Sequence, residues 1–157
     1  MLAREYPGQA CSAARTLELI GERWTLLVVR DVFAGNRRFD QMQRSLGIAR
    51  NVLSARLQRL VEEGILEKRL YSHNPARHEY FLTEKGLDLW PILVALIGYG
   101  DKHLAGPEGP PQLILHKECG GRVNDRRICE RCGKLLEVRE ARAVPGPGAR
   151  AEAPVAA

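Results

Sequence analysis

"FDQMQRSLGIARNVLSARLQRLVEEGILEKRLYSHNPARHEYFLT", residues 39–83, decides the fold. Phe39, Met42 and Leu46 recur three and four apart, which predicts a short amphipathic helix closed by Gly47. "RNVLSARLQRLVEEG" then carries Leu53, Leu57, Leu60 and Val61 on one face. At about 100° per residue, Asn51, Ala55, Gln58, Arg59 and Glu62 fall opposite, with Arg50, Ser54 and Arg56 on the flanks. Gly64 ends this second helix. "ILEKRLY" alternates like a strand, "SHNPAR" breaks it with Asn-Pro, and "HEYFLT" resumes an extended pattern. Helix, short turn, helix and hairpin is the order of a winged helix-turn-helix.

Charge points the same way. Between Arg37 and Arg77 nine Lys or Arg face four acids, so this block carries the whole net charge of +5. Such a local excess is the footprint of a polyanion binder, with a merely solvated face as the alternative. The major groove admits a helix whose early residues meet base edges. Arg50 and Asn51 are therefore the expected base contacts. Arg offers a bidentate pair to guanine, and Asn matches adenine. Ser54, Arg56 and Arg59 suit phosphates or flanking positions, and Arg77 with His78 in the hairpin loop suits the adjacent minor groove or backbone.

Outward from this core, residues 12–34 read as two helices, "SAARTLELIGERW" and "TLLVVRDVFAG", parted near Gly21 to Trp24 and stopped at Gly35-Asn36. Leu17, Ile20, Trp24, Leu27 and Val28 recur at helical spacing and predict one buried stripe. A further helix is expected from Thr83 to about His103, kinked at Pro91. Its "LWPILVALIGYG" is apolar over most of its circumference, which fits either a core helix or packing against a second subunit. "GPEGPP" marks a linker. From Ala143 the chain is Ala, Pro and Gly with little else, and disorder is expected there.

The runs "IGERWTLLVVRDVFAGNRRF", "LSARLQRLVEEGIL" and "PARHEYFLTEKG" resemble the HxlR family of bacterial winged helix-turn-helix regulators, over roughly residues 11–104. The resemblance implies a homodimer built from the N-terminal helices and the long C-terminal helix. It also implies control of transcription, by repression in the first instance, from a palindromic operator with half-sites about one helical turn apart. A small-molecule or redox effector is compatible with it. Cys11 falls where many members carry a cysteine, in some of them a sensor of oxidants or electrophiles. A helix N-terminus and Arg15 one turn on favour a reactive thiolate, and an inert residue near the dimer interface is the alternative. "CS" here departs from the family's common "CP", which weakens the transfer of role.

"HKECGGRVNDRRICERCG", residues 116–133, lies beyond that resemblance. His116-x-x-Cys119 and Cys129-x-x-Cys132 form two ligand pairs of equal gap, the donor set of a closed, structural zinc site. Metal affinity would become folding energy for a segment with few apolar residues. A redox pair at Cys129 and Cys132 leaves the other two residues unexplained and lacks a βαβ setting.

The expected architecture is mostly α with a small β-hairpin wing: a winged helix-turn-helix plus a small C-terminal zinc ribbon. Its expected parts are a DNA-binding and dimerisation domain at 1–105, a linker at 106–112, the ribbon at 113–142 and a disordered tail at 143–157. The N-terminal "MLAREYPGQACSAAR" is too polar for a secretory signal and no run spans a bilayer, so the reducing cytoplasm is the expected compartment. That compartment disfavours a disulfide. No nucleophile elbow, phosphate loop or paired carboxylates point to an enzyme. The competing class is a protein-interaction adaptor that works through the ribbon, with the winged helix as a packing module.

Overall fold

The computed structural model describes residues 6–149, which divide into two compact units meeting between Gly86 and Leu87. In the first unit, α1 (Ser12–Ile20) and α2 (Thr25–Phe33) are separated by a break in which Trp24 takes a left-handed φ of 80°. α3 (Phe39–Leu46) ends at Gly47, and α4 (Arg50–Glu62) begins three residues later. Val28, Val29, Met42, Leu53, Leu57, Leu60, Ile65 and Leu66 are all 0–1% exposed and form the centre of this core. The apolar face expected for α4 is thus the face it buries.

Only part of the stripe expected for α1 and α2 is buried. Ile20 and Val28 lie inside, but Leu17 is 49% and Leu27 38% exposed. The 21–24 break changes the helix axis, so a periodicity counted through it does not stay on one face.

β1 (Leu66–His73) and β2 (Ala76–Leu82) form the antiparallel wing, in register from Leu66 opposite Leu82, with an irregularity between Leu70 and Ser72. The wing is tied to the α2–α3 connection, where the Tyr80 N–H donates to the Arg37 carbonyl at 2.8 Å and Arg38 bridges to Glu79. At its base the Thr83 hydroxyl donates to the Gly64 carbonyl at 2.6 Å and accepts from the Gly86 N–H at 3.1 Å.

The single kinked helix expected from Thr83 to His103 is two helices, α5 (Glu84–Leu87) and α6 (Trp90–His103). Pro91 lies in the first turn of α6, where its missing N–H costs nothing, so it starts a helix and does not bend one. On α6, Trp90, Leu93 and Val94 are buried, whereas Ile92, Leu96 and Tyr99 are 37%, 50% and 63% exposed.

In the second unit β3 (Gln112–His116) pairs antiparallel with β4 (Ala141–Pro145), Leu113 opposite Val144. The tail expected to be disordered from Ala143 is therefore ordered at its start. Gly146 and Gly148 continue the pairing by donating to the carbonyls of Pro111 and Pro110. A strand needs backbone partners more than apolar side chains, and composition does not register that. The remainder of that tail, 150–157, lies outside the described residues. The unit boundary at 86/87 also differs from the expected 105/106, because α6 packs with the segment that follows the linker: a Cβ on Gly98 would sit 2.3 Å from that of Asp125. No helix among the described residues is long and apolar enough to cross a membrane.

Candidate nucleic-acid interface and metal centre

The candidate interface is built from the start of α4. Arg50, Asn51, Ser54 and Gln58 are exposed, along one flank of the face that buries Leu53, Leu57 and Leu60. Arg50 is aimed rather than loose. Its Nη1 donates to Gln43 Oε1 at 3.3 Å, and its guanidinium lies 4.9 Å over the ring of Phe39. Both partners belong to α3, so the two helices jointly orient this side chain.

Arg59 is exposed and pairs with Glu63 at 2.7 Å, an i,i+4 surface contact worth about 0.3–0.5 kcal/mol. Arg56 departs from expectation. Its side chain is only 20% exposed and forms an ion pair with Glu22, ahead of α2. At three residues from both Leu53 and Arg59 it falls on the inward flank of α4, and it ties that helix to the break between α1 and α2.

In the wing, Arg77 is exposed on β2 and His78, opposite Leu70, is half-buried. Three arginines not singled out from the sequence join them. Arg37 and Arg69 stack on Phe81, at 4.6 and 4.3 Å from its centroid. Arg38 lies 4.4 Å over Tyr71 while its Nε donates to Glu79 at 2.9 Å, which raises the Arg38 pKa further. Each stack holds a cation on the wing surface. The block of positive charge was visible in the sequence. The aromatic rings that position it were not.

The second constellation lies wholly in the C-terminal unit. One ligand atom from each of His116, Cys119, Cys129 and Cys132 lies within 4.8 Å of all the others. His116 Nδ1 is 3.2 Å from Cys119 Sγ and 3.4 Å from Cys132 Sγ, and Cys119 and Cys129 sulfurs are 3.4 Å apart. Two copies of one backbone turn achieve this. The Gly120 N–H donates to the His116 carbonyl and the Gly133 N–H to that of Cys129, both at 2.8 Å. The His116 N–H donates to Gly121 and the Cys129 N–H to Lys134, at 2.8 and 2.9 Å. Gly120 and Gly133 have φ of 72° and 73°, the left-handed conformation that closes each turn.

The four residues fit a metal. His116 and Cys129 are buried at 2% and 0% exposure, so polar atoms that have left water converge on one point. Burial works against the Cys129 thiolate, but the N–H groups of Cys132 and Arg131 and the neighbouring thiols outweigh it and bring its pKa to about 6. At Cys119 the Gly121 N–H favours the thiolate, yet burial and the hydrogen bonds with Cys129 and Cys132 raise the pKa overall. The other ring nitrogen of His116 lies 3.7 Å from the Glu118 carboxylate, the kind of neighbour that orients a ligating imidazole. All four cysteines of the chain are free thiols. Cys129 and Cys132 occupy one of the matched turns and share their sulfurs with His116 and Cys119, unlike an isolated redox pair.

Cys11 is exposed and caps α1, its sulfur accepting from the Ala14 N–H at 3.3 Å.

Comparison with known proteins agrees with this fold. Residues 19–107 match the HxlR-like helix-turn-helix family. An uncharacterised HTH-type transcriptional regulator of Mycobacterium tuberculosis is 47% identical over 151 residues, 96% of this chain and 94% of its own length. The crystal structure of PA1607 is similar with a TM-score of 0.69 at 35% identity, over 86% of this chain and 94% of that one. The redox regulator HypR in its oxidised form gives a TM-score of 0.54 at 30% identity, over 61% of this chain and all of its own. The mycobacterial relative is a transcriptional regulator of the helix-turn-helix type. With a helix-turn-helix, a two-stranded wing and a family match over 19–107, the chain belongs to the HxlR-like helix-turn-helix family of transcriptional regulators.

Proposed function

We propose that the protein acts as a homodimer that binds a palindromic operator and represses transcription by occupying it. The observation that carries this reading is the solvent-facing start of α4, where Arg50, Asn51 and Ser54 stand together and Arg50 is braced by Gln43 and Phe39. Arg50 and Asn51 read base edges in the major groove, Ser54 and Arg59 contact phosphates, and Arg77 with His78 reaches the adjacent minor groove or backbone. Arg37, Arg38 and Arg69 add backbone contacts from the wing. Self-association is supported by α6, whose exposed Ile92, Leu96 and Tyr99 make an apolar stripe that water disfavours. The protein works in the cytoplasm.

His116, Cys119, Cys129 and Cys132 hold one zinc ion. Tetrahedral zinc with sulfur at about 2.3 Å and nitrogen at about 2.0–2.1 Å places its ligand atoms about 3.5–3.8 Å apart, close to three of the separations found here, at 3.2, 3.4 and 3.4 Å, within a set spanning at most 4.8 Å. Bound there, the ion supplies structural cross-linking, and four protein ligands leave no position for a reacting water. Cys11, exposed at a helix start, is the thiol on which an oxidant would act.

The test is selection of bound fragments from the source genome, followed by affinity measured against salt. A palindromic site bound with a log–log salt slope of several units supports the reading. Absent or salt-insensitive binding refutes it and favours an adaptor that works through the ribbon.

A further inference from the structure

Within the C-terminal unit, α6 and the loop between the two ligand pairs meet at very short range. A Cβ on Gly98 would lie 2.3 Å from Asp125 Cβ and 3.2 Å from its Cα, so only glycine permits this approach. One turn on, the Asp101 carboxylate lies 3.9 Å from Arg122 Nη2. A cleft of about 290 Å³ completes the junction, with Val94 and Ile97 from α6 facing Ile114 and Val123.

Arg122, Val123 and Asp125 all belong to the nine residues between Cys119 and Cys129. That loop is fixed at both ends by the ligand turns. Arg122 bridges to Leu115, and Val123 bridges to Cys129 itself. Its tip is held by Asn124, whose side-chain oxygen accepts from the N–H groups of Arg126 and Ile128, each at 3.0 Å.

On α6 the positions that meet this loop are Val94, Ile97, Gly98 and Asp101. At about 100° per residue they lie on the opposite side from Ile92, Leu96 and Tyr99, the exposed apolar stripe. One face of the helix is held by the ribbon and the other is open to a partner.

We propose that the ribbon is a metal-dependent brace for α6, so that filling the His116, Cys119, Cys129 and Cys132 site sets how the helix presents its outer stripe to a second copy of the chain. The inference rests on the zinc and dimer readings above and adds a link between them. Removing the ion releases the two ligand turns, the loop between them loses its fixed ends, and Asp125 no longer seats against Gly98.

The test uses the full chain, with zinc content, sedimentation and amide hydrogen exchange read in parallel. Chelation of the zinc-loaded protein should raise exchange across Trp90–His103 at least tenfold and weaken self-association by a similar factor, leaving α2–α4 protected. Gly98→Ala should reproduce the α6 exchange while retaining one zinc per chain. Adding Asp125→Gly removes the opposing Cβ and should restore much of the protection. A protein that takes up no zinc refutes the metal reading itself. One that yields its zinc with α6 exchange and self-association unchanged refutes the brace alone, as does an unchanged Gly98→Ala.

Discussion

Arg50 and Arg56 stand six residues apart on α4, and a sequence search for DNA-contacting cations selects both. The structure separates them, and their replacement by alanine should have opposite consequences. Arg56 pairs with Glu22, with side-chain exposures of 20% and 33%. Exposed pairs contribute about 0–1 kcal/mol and breaking a buried one costs about 3–5 kcal/mol, so Arg56→Ala should destabilise this half-buried contact by about 1–2 kcal/mol. Arg50 is exposed and held by Gln43 at 3.3 Å and the Phe39 ring at 4.9 Å, so Arg50→Ala should cost less than about 1 kcal/mol in stability. At the operator the order reverses. Loss of one bidentate base contact costs about 1–3 kcal/mol, and a dimer loses two, which is a fall of about 30-fold or more. Urea unfolding followed by fluorescence anisotropy on the selected operator, at several salt concentrations, reads both quantities. Arg50→Ala should also relax sequence preference at the contacted base pair, whereas Arg56→Ala should leave preference and salt slope unchanged. The reasoning fails if Arg56→Ala lowers operator affinity and preference as strongly as Arg50→Ala while unfolding at the wild-type urea concentration.

Three further expectations follow from the same geometry. Gly121→Ala would place a Cβ 2.5 Å from Cys129 Sγ, so zinc affinity should fall by roughly 10–100-fold in a chelator competition; unchanged affinity would show that the ligand turns tolerate displacement. Leu96→Glu adds a charge to the exposed stripe of α6, and if that stripe joins two copies the dimer dissociation constant should rise by at least about a hundredfold in sedimentation, with unfolding of the monomer little altered. Cys11→Ser puts an oxygen acceptor in place of the sulfur that caps α1 and should preserve stability; if Cys11 is the sensor, diamide or peroxide should then no longer reduce operator binding, and persistent sensitivity would remove it from that role.

Where the sequence reading succeeded, it rested on local chemistry. The residues of α3 and α4, the stop at Gly47, the turn at Asn74-Pro75 and the two ligand pairs each follow from spacing and from residues with restricted or special backbone geometry. It failed where the decisive partner is distant in the chain. Leu17 and Leu27 share a period with Ile20 and Val28 but not a buried face. Pro91 reads the same whether it bends a helix or opens one, and only the hydrogen bonds around it distinguish the two. β4 has a composition typical of disorder and is ordered by the backbone of β3.

The sequence by itself determined the winged helix-turn-helix, the local excess of positive charge and the four residues of the His/Cys cluster, because periodicity, turn residues and paired spacing act over a few residues. Tertiary structure alone decided which cations face solvent. Arg50 and Arg56 have the same chemistry and each flanks the apolar face of α4, on opposite sides, yet one is aimed outward by α3 and the other is drawn inward by Glu22. It also decided that Gly98 must be glycine, since the constraint comes from Asp125, a residue 27 positions away that no local pattern connects to it.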